Sequence, residues 1–417
     1  MNMKILTIVY SIGPGGTERA AVNYSIAYKK YNCDSRIWVL GEGLERKPLL
    51  DKEGVITYLD CYGGNHESNL NELLAWQPQI IHVHQFDERL SLIFKKFKLI
   101  GSKIVETNVF SRPRYSKDYE LVDVSFQLAY WGVWKYLRWM RNEPRRPICL
   151  RVPYLISNTA FFQASTVDKL DLKEKLGIPV NAFIAGRVGQ PLTSKWDRSI
   201  FKVIDELISK DDNIYFVLVG MPKEFKSDYE KLPSKIKLNL KIIDPVSDDK
   251  LLACLYSIFD VFVHISKIGE SFGYVLIESM ACGCPVVTLC TPFKDNAQFE
   301  VVGDGMNVNR VVLRSQISKS ILNIKTSKDK PSPDFLRNKV LQQYSDDKQM
   351  SHILDVYGKL INENHIALKN FEYSDFQNAR LIVSKQMKSY GIFQFLSRGI
   401  LEILQLPFFM KLRIILK

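Results

Sequence analysis

Two glutamates, Glu270 and Glu278, stand eight residues apart in the second half of the chain, and Ser271, Phe272 and Gly273 form a turn after the first. An apolar pattern with helical spacing follows this turn. A helix that begins near Gly273 would direct its free N–H groups and the positive end of its dipole toward an anion. Glu270 then lies in the loop before that anion, and Glu278 lies two turns along the helix. The spacing therefore suits a ligand with hydroxyl groups on both sides of a diphosphate, as in a nucleotide sugar.

Two cations precede this segment. Arg187 lies at the end of an apolar run, and Lys195 follows eight residues later. Negative charge grows on a nucleoside diphosphate as it departs, and two fixed cations can stabilise that charge without a metal ion. Cations at this spacing are usually solvated, so their interpretation as a diphosphate site depends on the neighbouring glutamates. No Asp-x-Asp motif stands at a strand end, and we therefore expect no metal site.

A glycine-rich turn follows the first predicted strand and contains Gly15 and Gly16, with Glu18 near the start of the next helix. Glycine lets the backbone approach a ligand closely, so that N–H groups can bind phosphate or sugar oxygens. The turn lacks the G-x-G-x-x-G spacing of dinucleotide-binding domains, and no acidic residue follows the second strand at the usual distance. By itself this turn is a weak indication of a ligand site.

Short apolar runs alternate with helical patterns in both halves, which predicts two doubly wound α/β domains with ligands at the carboxyl ends of the strands. The predicted strands cover residues 5–10, 36–40, 80–84 and 103–106 in the first half, and residues 183–188, 215–220, 241–243, 261–264 and 285–288 in the second. A chain of 417 residues is too long for one ordinary core. We expect domains over residues 1–160 and 161–345, a linker over residues 155–179, and C-terminal helices with a basic apolar tail over residues 346–417.

The composition is that of a soluble globular protein with a basic balance: 46% of the residues are hydrophobic, 24% are charged, and the formal net charge is +12. This charge suits a phosphorylated ligand or an anionic lipid, and no nucleic-acid motif accompanies it. The seven cysteines are scattered and lack zinc spacing, so we expect reduced thiols in a cytosol. No run approaches the roughly 20 apolar residues needed to cross a bilayer. The N-terminal apolar run is too short for a signal peptide.

Basic and aromatic residues are interleaved in two stretches, residues 130–146 and residues 392–417. Tryptophan favours the membrane interface and arginine favours anionic headgroups, so either stretch could lie on a bilayer surface. The alternative for the first stretch is core packing, and the alternative for the tail is packing back on the first domain. We therefore expect a cytoplasmic protein and leave open its peripheral attachment to the inner membrane face.

Four motifs, in order over about residues 3–350, resemble those of the family 4 retaining glycosyltransferases, which have the GT-B fold. They are the Gly-Gly-x-Glu turn at residues 15–18, Arg187 with Lys195, the Glu-x7-Glu signature from Glu270 to Glu278, and a late segment over residues 296–305. The resemblance implies two Rossmann-like domains that face a cleft. It also implies a retaining, metal-independent transfer of a hexosyl unit from a UDP- or GDP-sugar, with no cofactor besides this nucleotide sugar. The implied acceptor is a glycan or a lipid-linked saccharide, in the synthesis of cell-surface polysaccharide.

The resemblance also implies roles for individual residues. Arg187, Lys195 and Glu270 are expected to be catalytic. The donor is expected to contact Gly15, Gly16, Arg187, Lys195, Pro245, Glu270, Ser271, Phe272, Gly273, Tyr274, Val275 and Glu278. The acceptor side is expected to include Glu18, His84 and Asn108.

One departure from the family concerns the acceptor side. Family members often carry a histidine after the strand predicted at residues 103–106, where this chain has Asn108. Asparagine can hydrogen-bond a sugar hydroxyl but cannot relay a proton. In the front-face reaction generally assigned to the family the leaving phosphate takes the acceptor proton, so this change need not abolish transfer. The side chains of His82 and His84 are expected to point to opposite faces of their strand, with at most one of them toward a ligand.

Other functions fit the same fold. A sugar-nucleotide epimerase would need several acids and histidines in its cleft, and the first half is poor in these. A phosphorylase would need a cofactor-lysine motif that we do not find in the sequence. Asn108 suggests a non-catalytic partner subunit, whereas the joint presence of Arg187, Lys195, Glu270 and Glu278 argues against one.

Overall fold

The computed structural model describes residues 2–61, 65–112, 116–140, 142–157, 160–291, 294–304, 308–329 and 331–390. These residues form two compact units, and each is built around its own parallel sheet. Among these residues, the first unit contains the chain up to Leu155 together with residues 346–388, and the second contains residues 156–345 together with Ser389 and Tyr390. The predicted fold class, with two parallel α/β sheets, is confirmed.

The sheet of the first unit has seven strands, all parallel, in the order β3-β2-β1-β4-β5-β6-β7. The strands are β1 (Lys4–Val9), β2 (Asp34–Val39), β3 (Ile56–Leu59), β4 (Ile80–His84), β5 (Lys103–Thr107), β6 (Val124–Gln127) and β7 (Ile148–Arg151). The helices between them are α1 (Gly16–Lys30), α2 (Lys47–Lys52), α3 (His66–Trp76), α4 (Ser91–Leu99) and α5 (Tyr130–Trp139). Strands β1 and β4 are buried along almost their whole length, as expected of central strands covered by helices on both faces.

The main sheet of the second unit has six strands, all parallel, in the order β10-β9-β8-β11-β13-β15. The strands are β8 (Phe183–Val188), β9 (Ile214–Val219), β10 (Leu240–Ile243), β11 (Val261–His264), β13 (Val286–Leu289) and β15 (Val308–Val311), and a separate parallel pair is formed by β12 (Gly269–Glu270) and β14 (Asp295–Asn296). The helices are α6 (Thr166–Lys175), α7 (Ser199–Lys210), α8 (Lys226–Glu230), α9 (Ser234–Asn239), α10 (Asp249–Ile258), α11 (Tyr274–Ala281), α12 (Gln298–Val302), α13 (Ile317–Thr326) and α14 (Pro333–Tyr344). Short 3-10 turns lie at Glu88–Leu90, Lys117–Leu121, Lys223–Phe225 and Arg314–Gln316.

The linker predicted over residues 155–179 contains helix α6. Ser165 caps the helix by accepting a hydrogen bond from the backbone N–H of Asp168. The helix packs against α10, where the Cys254 thiol donates to the Asp168 carbonyl at 3.5 Å. No residue of α6 is buried. The helix therefore lacks the apolar stripe by which a helix is recognised in a sequence.

Helices α15 (Asp346–Ile361) and α16 (His365–Ser389) bring the chain back to the first unit. The Glu372 carboxylate of α16 accepts a hydrogen bond from the backbone N–H of Cys149 at 2.7 Å, and Asp375 accepts from that of Arg151 at 2.7 Å. Because β7 is an edge strand, these carboxylates cover N–H groups that would otherwise be open to pairing with another chain.

Residues 130–139 of the first basic aromatic stretch form helix α5, which packs into the first unit. Trp131 and Tyr136 are buried, and Lys135 lies over the Trp139 ring, 4.8 Å from its centroid. None of residues 130–140 is exposed, so the structure favours packing for this part of the stretch, whereas residues 142–145 are exposed. The second stretch, residues 392–417, lies outside the described residues. Among the helices that the structure describes, none is long and apolar enough to span a bilayer.

Candidate functional site

Most of the predicted donor residues lie at the carboxyl ends of the strands of the second unit, the edge where open α/β sheets bind ligands. Arg187 belongs to β8, and the loop after this strand carries Lys195. Strand β11 ends at His264, and Glu270 follows in the short strand β12.

Arg187 is a buried cation, with 2% of its surface exposed. Its Nη1 donates to the Val188 carbonyl and its Nη2 to the Lys195 carbonyl, both at 2.9 Å. The guanidinium carbon lies 5.2 Å from the centroid of the Trp196 ring. Burial lowers the pKa of Arg187 to about 10, so the group remains charged at neutral pH. Its Nε–H is buried and has no hydrogen-bond partner among the described residues.

Glu270 is a buried carboxylate held from two sides. Lys195 Nζ lies 2.9 Å from its Oε2, and His264 Nε2 lies 3.2 Å from its Oε1. Burial alone would raise the pKa of Glu270, but the Lys195 cation and the hydrogen bond from His264 outweigh it and lower this pKa to about 2. Glu270 is therefore an ionised acceptor with further lone pairs for ligand hydroxyls.

His264 is a member of this cluster that the sequence reasoning missed. It is fully buried and pairs in register with Thr288 of β13, whose Oγ1 lies 3.0 Å from His264 Nδ1. Burial lowers the pKa of His264 despite the hydrogen bond to Glu270. Because the ionised carboxylate can only accept, Nε2 carries the hydrogen of the neutral ring, and Nδ1 accepts from the Thr288 hydroxyl. A histidine that ends the otherwise apolar run Val261–His264 was the available signal.

A special backbone conformation places Glu270. Gly269 has φ +79°, and a Cβ atom there would stand 1.9 Å from the carbonyl oxygen of Asp295. This close approach is the pairing of β12 with β14, and the Ala297 N–H then donates to the Glu270 carbonyl at 3.0 Å. The late segment of the sequence motif thus holds the backbone of Glu270 in the second unit.

Helix α11 begins at Tyr274 after Gly273, whose φ is +93°. Glu278 is the fifth residue of this helix and lies about one turn from its start. The predicted distance of two turns was therefore wrong, because even five residues, counted from Gly273, span only about 1.4 turns at 3.6 residues per turn. Glu278 is 3% exposed, and the Tyr256 hydroxyl donates to its Oε2 at 3.0 Å.

The other predicted donor residues of the second unit differ in exposure. Phe272 and Tyr274 are buried, and their ring centroids lie 5.9 Å apart in an edge-to-face contact. Ser271 and Val275 are half-buried, and Pro245 is exposed. The two aromatic side chains therefore pack against each other at the turn before α11. This turn can still contact an anion through the backbone N–H groups at the start of the helix.

The remaining predicted residues belong to the first unit. Gly15 is the N-cap of α1 and Gly16 is its first residue. Both therefore lie at the N-terminus of the helix, where the backbone N–H groups have no partner within the helix. Glu18 is half-buried in the first turn of the same helix.

The two strand histidines lie on the same face of β4, with ring centroids 4.5 Å apart. The expectation of opposite faces was wrong, because residues two apart in a strand share a face. His82 Nδ1 lies 2.7 Å from the Tyr28 hydroxyl and His82 Nε2 lies 2.8 Å from Thr107 Oγ1, which makes His82 a satisfied core residue. His84 is 4% exposed, and neither ring nitrogen has a partner among the described residues.

Asn108 has a structural function in the loop after β5. Its Nδ2 donates to the Arg112 carbonyl at 2.8 Å, and its Oδ1 accepts from the Arg112 N–H at 3.1 Å. The side chain is 2% exposed. Its amide therefore shapes the loop, and the contact with an acceptor sugar stays a prediction.

Comparison with known proteins finds a family match for part of the second unit. Residues 168–317 match the model of the family described as glycosyl transferases group 1. A D-inositol 3-phosphate glycosyltransferase of Corynebacterium efficiens is 27% identical over 122 residues. That alignment spans 28% of this chain and 28% of the curated relative.

Solved glycosyltransferase structures have the same fold over most of the chain. The Anabaena Alr3699/HepE protein in complex with UDP and glucose has a TM-score of 0.65 at 16% identity, over 86% of this chain and 100% of that one. A glycosyltransferase of Rickettsia africae has a TM-score of 0.67 at 17% identity, over 87% and 99%. The chain therefore has the GT-B fold of these glycosyltransferases, and its residues 168–317 are similar to the group 1 glycosyl transferases.

Proposed function

We propose that this chain transfers a hexosyl unit from a UDP- or GDP-sugar to a glycan or lipid-linked saccharide, with retention of configuration, in the synthesis of cell-surface polysaccharide. The observation that carries the proposal is the cluster of Arg187, Lys195, Glu270 and His264 at one edge of the second sheet.

The charges of this cluster suit a sugar diphosphate. Glu270 neutralises one of the two cations, and His264 is neutral, so one positive charge remains for the diphosphate. The N–H groups at the start of α11 are additional donors. As the bond to the sugar breaks, negative charge builds on the leaving phosphate, and these fixed groups stabilise it without reorganisation. We assign no metal and no cofactor to this step.

Glu270 and Glu278 supply acceptors for hydroxyl groups in this proposal. Glu270 lies beside Lys195 and binds the transferred sugar, and Glu278 binds the ribose from its place on α11. A carboxylate that is already ionised and held by neighbouring side chains can accept hydroxyls with little loss of conformational freedom. In the proposed front-face reaction the leaving phosphate oxygen takes the proton of the acceptor hydroxyl, as the bond from that hydroxyl oxygen to the anomeric carbon forms.

The proposal includes a position on the cytoplasmic face of a membrane, which would suit a lipid-linked acceptor. Helix α4 supports it, because Leu92 is 73% and Leu99 is 87% exposed, seven residues apart on one helical face with Lys95 and Lys96 between them. A solvent-facing helix surface normally carries polar residues. Apolar and cationic residues together on such a face suit anionic headgroups.

A binding screen tests the proposal. UDP, GDP, ADP and CMP are titrated with and without their sugars, and each binding nucleotide sugar is then supplied with saccharide acceptors. We expect micromolar binding of one uridine or guanosine diphosphate and release of that diphosphate during transfer, with the product retaining the anomeric configuration of the donor. Failure of every nucleotide to bind would overturn the proposal. Binding without transfer would favour the non-catalytic partner subunit instead.

A further inference from the structure

The short strand β14 fixes the backbone of Glu270. In the parallel pair of β12 with β14, Glu270 lies in register with Asn296. The next residue, Ala297, donates its N–H to the Glu270 carbonyl at 3.0 Å. The place of the Glu270 backbone therefore depends on the segment that carries β14, over residues 289–298.

The Asn296 side chain ties this segment together. It is 1% exposed, and its Nδ2 donates to the Thr291 carbonyl at 2.7 Å and to the Tyr390 hydroxyl at 2.8 Å. Its Oδ1 accepts from Gln298 Nε2 at 2.9 Å, and the same nitrogen donates to the Leu289 carbonyl at 3.0 Å. Both hydrogens of the Asn296 amide are thus used, and a buried amide that is bonded in this way is held in one orientation.

Tyr390 is the partner of Asn296 that is distant in sequence. It follows helix α16 directly and stands 94 residues from Asn296, whereas the other side-chain partners lie within residues 289–298. Tyr390 belongs to the second unit and is 3% exposed. Hydrogen bonds inside a short segment fix its shape, whereas a bond to a distant residue also fixes its place in the unit. The Tyr390 hydroxyl therefore supports the position of β14 in addition to the pairing with β12.

The function proposed for Glu270 depends on the place of its backbone. Its carboxylate meets Lys195 Nζ at 2.9 Å and His264 Nε2 at 3.2 Å, and these two partners come from other elements of the second unit. The same carboxylate is proposed to bind the transferred sugar. A displacement of about 1 Å in such a group can lower a rate by about 10²-fold. A side chain that fixes β14 can therefore affect the reaction without touching the substrate.

We propose that Tyr390 is a positioning residue of the transferase reaction. Its hydroxyl holds the Asn296 amide, and through the pair of β12 with β14 it holds the Glu270 carboxylate at the place where the transferred sugar binds. The inference rests on the proposed function, because that function assigns Glu270 to the sugar. Tyr390 should accordingly affect the sugar part of the donor and not the diphosphate, which is assigned to other groups.

Tyr390→Phe tests the proposal, because it keeps the ring and removes the hydroxyl. Calorimetry on the full chain measures the Kd of the free nucleoside diphosphate and of the nucleotide sugar identified by the binding screen. We expect the nucleotide sugar to bind about five- to tenfold more weakly, as for the loss of one buried hydrogen bond, and the diphosphate Kd to change by less than about twofold. Turnover should fall roughly tenfold, because the sugar is less well positioned. Unchanged binding of the nucleotide sugar, or an equal loss for both ligands, would overturn the proposal.

A second measurement determines whether the effect passes through Glu270. In a Glu270→Ala background, Tyr390→Phe should change the Kd of the nucleotide sugar by less than about twofold, because the carboxylate that it positions is already absent. A further loss as large as in the unchanged protein would show that Tyr390 acts independently of Glu270. That result would contradict a positioning role and would favour a general contribution to the stability of the unit.

Two further variants complete the test. Tyr373→Phe is the matched control, because it removes a tyrosine hydroxyl from α16 at a position that is 67% exposed, and it should leave both Kd values and turnover unchanged. Asn296→Ala removes the same contact from its other side and carries the test if Tyr390→Phe does not fold. It should weaken the nucleotide sugar at least as much as Tyr390→Phe and leave the diphosphate Kd unchanged. An Asn296→Ala variant that binds the nucleotide sugar normally would overturn the proposal.

The unchanged protein separates this proposal from the proposed function. If it binds neither the diphosphate nor the nucleotide sugar, the proposed function is overturned, and the role of Tyr390 with it. If it binds both ligands and Tyr390→Phe binds both equally well, the role of Tyr390 is overturned and the proposed function remains.

Discussion

A buried carboxylate keeps its charge only where its neighbours replace the solvation that burial removes. Around Glu270 this replacement comes from Lys195 and from His264, and Thr288 in turn fixes the tautomer of His264. Glu270, Lys195 and Arg187 were identified from sequence motifs, because their types and spacing resemble a known pattern. His264 and Thr288 were not identified, because their contact depends on the pairing of β11 with β13, and a local sequence pattern does not predict which strands pair.

The first residue-level prediction concerns Lys195. Lys195→Ala should lower turnover by roughly 10²–10³-fold, because a well-placed electrostatic contact in the transition state contributes about 3–4 kcal/mol. It also removes the cation that lowers the pKa of Glu270, so this pKa should rise. Turnover is measured on the donor identified by the binding screen. The control is Lys202→Ala, whose lysine side chain is 81% exposed on α7, and equal turnover of the two variants would contradict the assignment of Lys195.

A second prediction separates the two glutamates. Loss of an acceptor for a buried hydroxyl costs about 1–3 kcal/mol. Glu278→Ala should therefore weaken the free diphosphate and the intact nucleotide sugar alike, since both contain the ribose. Glu270→Ala should weaken only the nucleotide sugar. Calorimetric Kd values for both ligands check this division, and a Glu270→Ala variant that loses the free diphosphate would be inconsistent with it.

At the scale of elements, the sequence predicted the mainly apolar strands well and the more polar ones poorly. Strands β4, β8 and β11 have the predicted bounds, because each is a mainly apolar run between turns. Strands β3 and β6 have four residues each, as β11 does, but half of their side chains are polar, and this hides the apolar pattern. The two-residue strands β12 and β14 depend on tertiary pairing, although they place Glu270.

The element-level prediction therefore concerns Gly269. Gly269→Ala should disrupt the β12–β14 pair, because the backbone has φ +79° and the new Cβ would collide with the Asp295 carbonyl oxygen. We expect a loss of about 1–3 kcal/mol in the free energy of unfolding and weaker binding of the nucleotide sugar. The control is Gly54→Ala, which has φ +68° but no heavy atom within 4 Å of the new Cβ. Denaturant unfolding should show a larger loss for Gly269→Ala, and equal losses would mean that backbone strain alone, without the collision, explains it.

At the scale of the whole chain, the first unit is completed from both ends of the sequence. Helices α15 and α16 return to it, and the Tyr357 hydroxyl of α15 lies 2.7 Å from the Tyr28 hydroxyl of α1, 329 residues away in sequence. The sequence predicted helices after residue 345 but left open where they pack, since amphipathic patterns identify a buried face and not its partner. The same limit applies to α5, where the sequence left a bilayer surface and core packing equally open, and the structure shows a packed helix.

The last prediction concerns the membrane surface proposed for α4. The double variant Leu92→Gln with Leu99→Gln should reduce binding to vesicles of 30% phosphatidylserine (about the anionic content at which basic surfaces bind), because both side chains are exposed and available to insert. High salt should weaken the binding of the unchanged protein, since each lysine near an anionic surface contributes about 1 kcal/mol that salt screens.

The control is Leu238→Gln with Ile366→Gln, at positions 71% and 77% exposed on other helices. Vesicle sedimentation measures binding, and transfer to a soluble acceptor should be unchanged in both variants, because neither alters the cluster around Glu270. If the two double variants bind vesicles equally, α4 is not the contact surface. If the unchanged protein does not bind these vesicles at low salt, the results would favour a soluble acceptor over a lipid-linked one.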